Sequence, residues 1–194
     1  MAKKIMILTG SPRKNGNTNT VATWFAEGAK AAGAEVEIIS VPQLKSKFGG
    51  CIACMGCQKS DKFECQVEDD VKPVLARMPK ADALVFATPT YFFGPSAQIK
   101  SIMDRMYSLI KFDSAKGGYV QSIGHVKLGV IATAGGDVQP GLKLIDDTFR
   151  TVAGFSGVPY DSLLVPFAPR ELGEMKKQND VREKALAFGR KFLA

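Results

Sequence analysis

The chain has 194 residues, of which 45% are hydrophobic and 23% charged, an ordinary ratio for one folded globular domain. No stretch reaches the roughly 18 uninterrupted apolar residues of a membrane-spanning helix, and Met1-Ala-Lys-Lys-Ile runs into strand-like sequence without a signal-peptide core, so a cytoplasmic protein with no membrane attachment is expected. The net charge of +7 comes from Lys and Arg scattered along the chain, not massed in one arm, which argues against a nucleic-acid partner and suits phosphorylated small molecules.

Lys4-Ile-Met-Ile-Leu-Thr9 is a short apolar run that reads as the first strand. A polar loop from Gly10 to Thr18 follows, after which Val21, Phe25, Ala29 and Ala32 recur at helical spacing until Gly33 closes the helix. Glu35 to Ser40 reads as the second strand and completes a βαβ unit. A cysteine-bearing insert, about 48–68, interrupts the pattern before Asp69 and Asp70 open a helix running to Met78, since a helix start favours negative charge.

Asp82 to Thr88 is the third strand, Pro89 to Pro95 a loop, and Ser96 to Tyr107 a helix with Ile99, Ile102, Met103 and Met106 on one face. After a Gly-rich connection around Gly117, Val126 to Thr133 reads as the fourth strand, followed by the loop Ala134 to Asp137 and a helical segment to about Ala153. Val158 to Val165 supplies a fifth strand, and Glu171 to Leu193 a closing amphipathic helix that buries Val181, Ala185, Phe188 and Phe192. Nothing repeats at solenoid periods, and no tract is of low complexity.

Strands alternating with helices predict an α/β fold with a parallel sheet covered on both faces, because parallel strands need helical crossovers. Ligands in such sheets bind beyond the carboxyl ends of the strands, where the strand order reverses. Three loops leave those ends: Gly10 to Thr18, Pro89 to Gly94, and Thr133 to Asp137. The first offers the Ser11 and Thr18 hydroxyls, the Asn15 and Asn17 amides, the Arg13 guanidinium and the N–H groups of a helix start, a set suited to a phosphate monoester. It is not a Walker loop, since Gly16 is followed by Asn17-Thr18, and it lacks the G-x-G-x-x-G of dinucleotide sites. A tight turn with a helix cap is the plainer reading of that loop taken alone. The second loop, Pro89-Thr-Tyr-Phe-Phe-Gly94, sets aromatics and a hydroxyl at a strand end, suited either to bordering a flat ring system or to packing under a helix.

Together, Gly-Ser-Pro-Arg-Lys-Asn-Gly-Asn-Thr after strand one, Pro-Thr-Tyr-Phe after strand three and Thr-Ala-Gly-Gly after strand four resemble the NADPH-dependent FMN reductase family over nearly the whole chain. The resemblance implies a flavodoxin-like, doubly wound five-stranded sheet in the order 2-1-3-4-5. It implies that Ser11, Arg13, Asn17 and Thr18 bind the FMN phosphate, with Asn15 beside them. Pro89, Thr90, Tyr91 and Phe92 would flank the isoalloxazine near Gly94, and Thr133, Ala134, Gly135 and Gly136 would form a third wall. It also implies a homodimer or homotetramer.

All four cysteines lie in Cys51-Ile-Ala-Cys54-Met-Gly-Cys57 and Cys65, a C-x2-C-x2-C-x7-C pattern. Three thiolates so closely spaced, with Gly49, Gly50 and Gly56 to curl the backbone, can ligate three irons of a cubane while Cys65 completes it. The motif resembles that of the iron–sulfur flavoproteins, a branch of the same family that carries a [4Fe–4S] cluster beside FMN. Tetrahedral zinc and free, redox-active thiols are the alternatives. Asp61, Glu64, Glu68, Asp69 and Asp70 surround the motif, and acidic neighbours would lower a cluster's potential.

An oxidoreductase is therefore expected, in which flavin N5 carries the chemistry and no catalytic side chain is required. Electrons would come from NAD(P)H or a ferredoxin-like donor and pass to a small acceptor such as a flavin, a quinone or an oxygen species. A non-enzymatic electron relay, or a reductase without a cluster, are the competing expectations. His125, the only histidine, reads as a strand-end polar residue.

Overall fold

The computed structural model describes residues 2–113 and 117–193. Strand β1 (Lys4–Thr9) is followed by α1 (Asn17–Ala31) and β2 (Glu35–Ser40). The insert carries only a short turn of helix, α2 (Gly56–Lys59), before α3 (Val71–Arg77). Strand β3 (Ala83–Tyr91) turns back into the two-residue β4 (Gly94–Pro95), and α4 (Ala97–Arg105) follows. A hairpin of β5 (Ile110–Asp113) and β6 (Gly118–Gln121) precedes β7 (Lys127–Thr133), α5 (Lys143–Ser156), β8 (Tyr160–Val165) and α6 (Asn179–Lys191).

The main sheet runs β2-β1-β3-β7-β8 with every neighbour parallel, which is the expected 2-1-3-4-5 order of a flavodoxin-like fold. Alternation along each strand sorts the core into two layers. Ile5, Ile7, Val85 and Ile131 face α1 and α6, with Phe25 and Phe192. Met6, Leu8, Phe86 and Val130 face α3, α4 and α5, with Leu75, Ile102 and Phe149. Helix α6 reaches the sheet because β7 carries Gly129: a Cβ there would stand 2.4 Å from the Phe192 ring.

Several boundaries differ from the sequence reading. The helix after the insert is shorter than 69–78 because Asp69 caps it, its Oδ1 accepting from Val71 N at 3.1 Å and Lys72 N at 3.3 Å. Helix α4 ends at Arg105 and tightens into a 3-10 turn over Met106–Leu109. The Gly-rich connection is an antiparallel hairpin, with Ile110 opposite Gln121 and Phe112 opposite Tyr119. The closing helix starts at Asn179, not Glu171, because Gly173 (φ 88°) takes a left-handed turn and the 174–177 segment is 3-10. His125 is exposed in the turn before β7, as expected of a strand-end polar residue. Among the described residues no helix is long and apolar enough to cross a membrane.

Candidate functional site

The carboxyl ends of β1, β3 and β7 meet on one edge of the sheet and are stitched together below the loops that leave them. Gly10 N donates to Ala87 O at 2.8 Å, and Ser96 Oγ, which caps α4, donates to Gly10 O at 3.0 Å. A Cβ on Gly10 would meet Ile99 at 2.3 Å, so the first loop lies against α4 only with glycine there. Thr88 Oγ1 accepts from Ser96 N at 2.9 Å and donates to Pro89 O, fixing the second loop. Thr18 and Thr133 share a buried hydroxyl hydrogen bond of 2.7 Å that ties the start of α1 to the end of β7. Since one hydroxyl of the pair donates to the other, the second keeps its proton for another acceptor.

These loops enclose a cleft of about 250 Å³ lined by Ser11, Arg13, Asn17, Thr18, Pro89, Thr90, Tyr91, Thr133, Ala134 and Gly135. Asn15, Phe92, Gly94 and Gly136 lie outside this lining. Asn15 borders a separate groove with Lys14 and Lys176, and Phe92 stands 97% exposed at the β3–β4 turn. That turn is strained, with Phe92 at φ 45° and Phe93 at φ 68°, left-handed positions that normally belong to Asn or Gly.

The cleft also holds Gly16 of the first loop and three residues that the three-loop reading missed: Ala168, Pro169 and Arg170. The 166–170 segment leaves the carboxyl end of β8, so the rule that singled out the other loops covers it as well. It is laced to the third loop, with Ala134 N donating to Val165 O at 3.0 Å and Ala168 N to Ala134 O at 2.8 Å. Asn17 Nδ2 donates to Pro169 O at 2.6 Å, so its amide braces this loop against α1.

Chemically the cleft favours an anion at one end. Helix α1 begins at Asn17 after Gly16, with no side-chain cap and no acidic residue in its first turn, which leaves the N–H groups of that turn and the positive dipole end free. Arg13 and Arg170 are exposed and have no carboxylate partner among the described residues, and the buried Ser11 hydroxyl has no protein partner among them either. Thr90, also in the lining, has its Oγ1 buried without a hydrogen-bond partner, an arrangement that costs about 1–3 kcal/mol unless a ligand supplies one.

A second concavity lies beyond the carboxyl-terminal end of α4. The loop from Gly49 to Cys57 curls through left-handed positions at Ala53 (φ 51°) and Met55 (φ 57°), bringing Cys51, Cys54, Cys57 and Cys65 around one cavity with Arg105 and Tyr107. All four are free thiols; Cys51 and Cys54 are exposed and Cys65 is buried. Each of three sulfurs accepts an N–H: Cys51 from Ala53 N at 3.4 Å, Cys57 from Gln58 Nε2 at 3.6 Å, and Cys65 from Arg105 Nη2 at 3.4 Å. The hairpin holds the loop in place, since Gln58 Nε2 also donates to Ile110 O at 2.8 Å and Lys111 Nζ to Cys57 O at 3.1 Å. Among the described residues, no three Cys, His, Asp or Glu side chains converge as ligands of one ion.

Three of the five acidic neighbours are engaged by a cation or a backbone amide. Asp69 pairs with Arg105 at 2.7 Å, both side chains at most 3% exposed, and also accepts from Lys47 N at 3.0 Å. Burial would raise its carboxyl, but the Arg105 guanidinium and the Lys47 amide hold it below the usual carboxylate range. Glu68 pairs with Lys72, and Asp70 accepts from Lys45 N at 2.8 Å. The charged side chain hydrogen-bonded to a cysteine sulfur is a cation, Arg105.

A model of the NADPH-dependent FMN reductase family matches residues 3–168 of this chain. An iron-sulfur flavoprotein of Methanocaldococcus jannaschii is 36% identical over 102 residues, 53% of this chain and 51% of that protein, so the chain spans about half its length. An iron-sulfur flavoprotein of Archaeoglobus fulgidus is 30% identical over 156 residues, 79% of this chain and 73% of that protein. The structure of an NAD(P)H:quinone oxidoreductase from Methanothermobacter marburgensis superimposes with a TM-score of 0.75 at 19% identity, covering 99% of this chain and 100% of that one, a likeness of fold.

Proposed function

Because this chain belongs to the NADPH-dependent FMN reductase family, we propose that it is an FMN-dependent oxidoreductase whose four cysteines hold a [4Fe–4S] cluster. The observation that carries the flavin reading is the uncapped start of α1 facing a cleft with two unpaired guanidiniums. Arg13 and Arg170 bracket the phosphate while Ser11, the α1 N–H groups and the spare proton of the Thr18–Thr133 pair donate to its oxygens. Thr90 offers its unpartnered hydroxyl to the polar edge of the ring, and Pro89 and Tyr91 border its face. Phe92 stands exposed at the β3–β4 turn, outside the cleft lining. When bound, FMN supplies hydride acceptance and single-electron transfer, so the chain's task is to bind and orient it.

The cysteine donor set fits a cubane on chemical grounds. Such a cluster takes one thiolate per iron, so its ligands stand around a cage and not at a single point. Cys51, Cys54, Cys57 and Cys65 border one cavity, and three of them, Cys51, Cys57 and Cys65, already receive N–H donors. Tetrahedral zinc asks instead for four sulfurs about 2.3 Å from one ion.

Electrons enter from NAD(P)H or from a one-electron donor of the ferredoxin kind and leave to a small acceptor such as a quinone, a flavin or an oxygen species. The proposal extends to a single cytoplasmic domain acting as a homodimer or homotetramer. The flavin reading is tested by titrating the purified chain with FMN under fluorescence and mixing the product anaerobically with NADPH. Quenching to a stoichiometric endpoint followed by bleaching of the flavin bands supports it. Absence of quenching refutes the site, and quenching without bleaching shifts the donor to the one-electron class.

A further inference from the structure

Arg105 is the last residue of α4 and is 2% exposed, yet it carries a full charge into the wall of the cysteine cavity. Burial opposes that charge, and the hydrogen bonds to Asp69 and Cys65 outweigh it. Its guanidinium lies between two groups: Nη1 donates to Asp69 Oδ2 at 2.7 Å, and Nη2 donates to Cys65 Sγ at 3.4 Å and to Val67 O at 3.3 Å. Asp69 in turn accepts from the amides of Lys47, Val71 and Lys72, so the pair is anchored to two backbone segments and cannot swing. The positive end of the pair thus faces the sulfur, with the carboxylate behind it. Arg105 Nε is buried without an acceptor, leaving a donor that the protein itself does not satisfy.

We infer that Arg105 is a positioning residue that holds the Cys65 sulfur and raises the reduction potential of the group the four cysteines ligate. The inference rests on the cluster reading above. One-electron reduction forms and breaks no bond: an external one-electron donor adds a single negative charge to the cluster, part of which resides on the thiolate sulfurs. A nearby cation and an N–H···S bond both stabilise that added charge, and hydrogen bonds to sulfur and local charge set such potentials. Away from water the effect is amplified, because solvent does not screen it. Of the five carboxylates around the motif, Asp69 and Glu68 are paired with cations, Asp70 accepts from a backbone amide and Glu64 from the Gln66 amide, while Arg105 is the charged side chain hydrogen-bonded to a cysteine sulfur.

The test uses Arg105→Met and Arg105→Lys in the full chain, purified anaerobically alongside the parent protein. Iron and acid-labile sulfide are quantified first, and the one-electron midpoint is then read by optical titration with dithionite. In Arg105→Met with its cluster intact, the reduction equilibrium is expected to move at least about tenfold toward the oxidised form, about 59 mV downward for a one-electron couple. Arg105→Lys keeps a charge but lacks the fork that spans Asp69 and Cys65, so a smaller downward shift is expected. A midpoint in loaded Arg105→Met that matches the parent protein overturns the role while leaving the cluster in place. Parent protein without iron and sulfide overturns both readings. Should Arg105→Met lose its cluster, a lowered midpoint in loaded Arg105→Lys supports the inference and an unchanged one overturns it.

Discussion

Arg13 and Arg170 reach the same cleft from opposite ends of the sequence, and their freedom from carboxylate partners is what makes them available to an anion. Arg13→Ala is expected to weaken FMN binding by about 1.5–3 kcal/mol, the scale of a charge-assisted hydrogen bond, and Arg170→Ala by a comparable amount. Fluorescence titration of each variant measures both; unchanged affinity in the pair moves the phosphate site elsewhere. Arg13 was legible in the sequence because it stands in a loop that follows the first strand and precedes a helix. Arg170 was not, because the loop after the fifth strand carries no glycine-rich or hydroxyl-rich signature. The Arg105–Cys65 contact was also hidden: the two are 40 positions apart, and a helix-end arginine normally reads as a solvated charge.

Helices α1 and α6 cross where each presents a glycine to the other's backbone. A Cβ on Gly28 would stand 2.1 Å from Leu186 O, and one on Gly189 would stand 2.1 Å from Phe25 O. Gly189→Ala is therefore expected to destabilise the chain by about 1–3 kcal/mol through overpacking, despite the better helix propensity of alanine, as read by urea denaturation. On the opposite layer, Asp146 of α5 binds β8 through Tyr160 Oη at 2.8 Å and pairs with Arg150 at 3.0 Å. Burial pushes its carboxyl up, and hydrogen bonds from Ser162, Tyr160 and Arg150 bring it below its ordinary value of 3.8. A depressed carboxylate contributes stability that is full above that ordinary value and is lost as pH falls through the lower, folded-state value. Asp146→Asn should thus be less stable by roughly 1.5–3 kcal/mol at neutral pH and show a shallower acid limb in urea melts taken across pH. An acid limb identical to the parent protein's would contradict the assignment. The parallel strands and their order were legible because apolar runs alternate with helical periodicity. The β5–β6 hairpin was not, because its strands are four residues each and bury little. That hairpin matters, since Gln58 and Lys111 fasten the cysteine loop to it.

Across the whole molecule, two concavities lie at opposite ends of α4. Its N-terminal cap, Ser96, braces the loops of the proposed flavin cleft, and its last residue, Arg105, lines the cysteine cavity. A nine-residue helix separates them by on the order of 13 Å along its axis. Residues 48–68 carry two lysines and three carboxylates, so the positive excess of the chain lies outside the cysteine insert. The insert itself carries a net charge of only −1, and long-range attraction of an anionic donor acts through the rest of the surface. The measurement that bears most directly on this account is the absorption spectrum of anaerobically purified protein, with FMN, iron and acid-labile sulfide quantified on the same sample. About one FMN and about four irons with matching sulfide per chain, with a broad band near roughly 400 nm that bleaches under dithionite, is the expected result. A chain that takes up no flavin even after FMN is added, and holds neither iron nor sulfide, would contradict it.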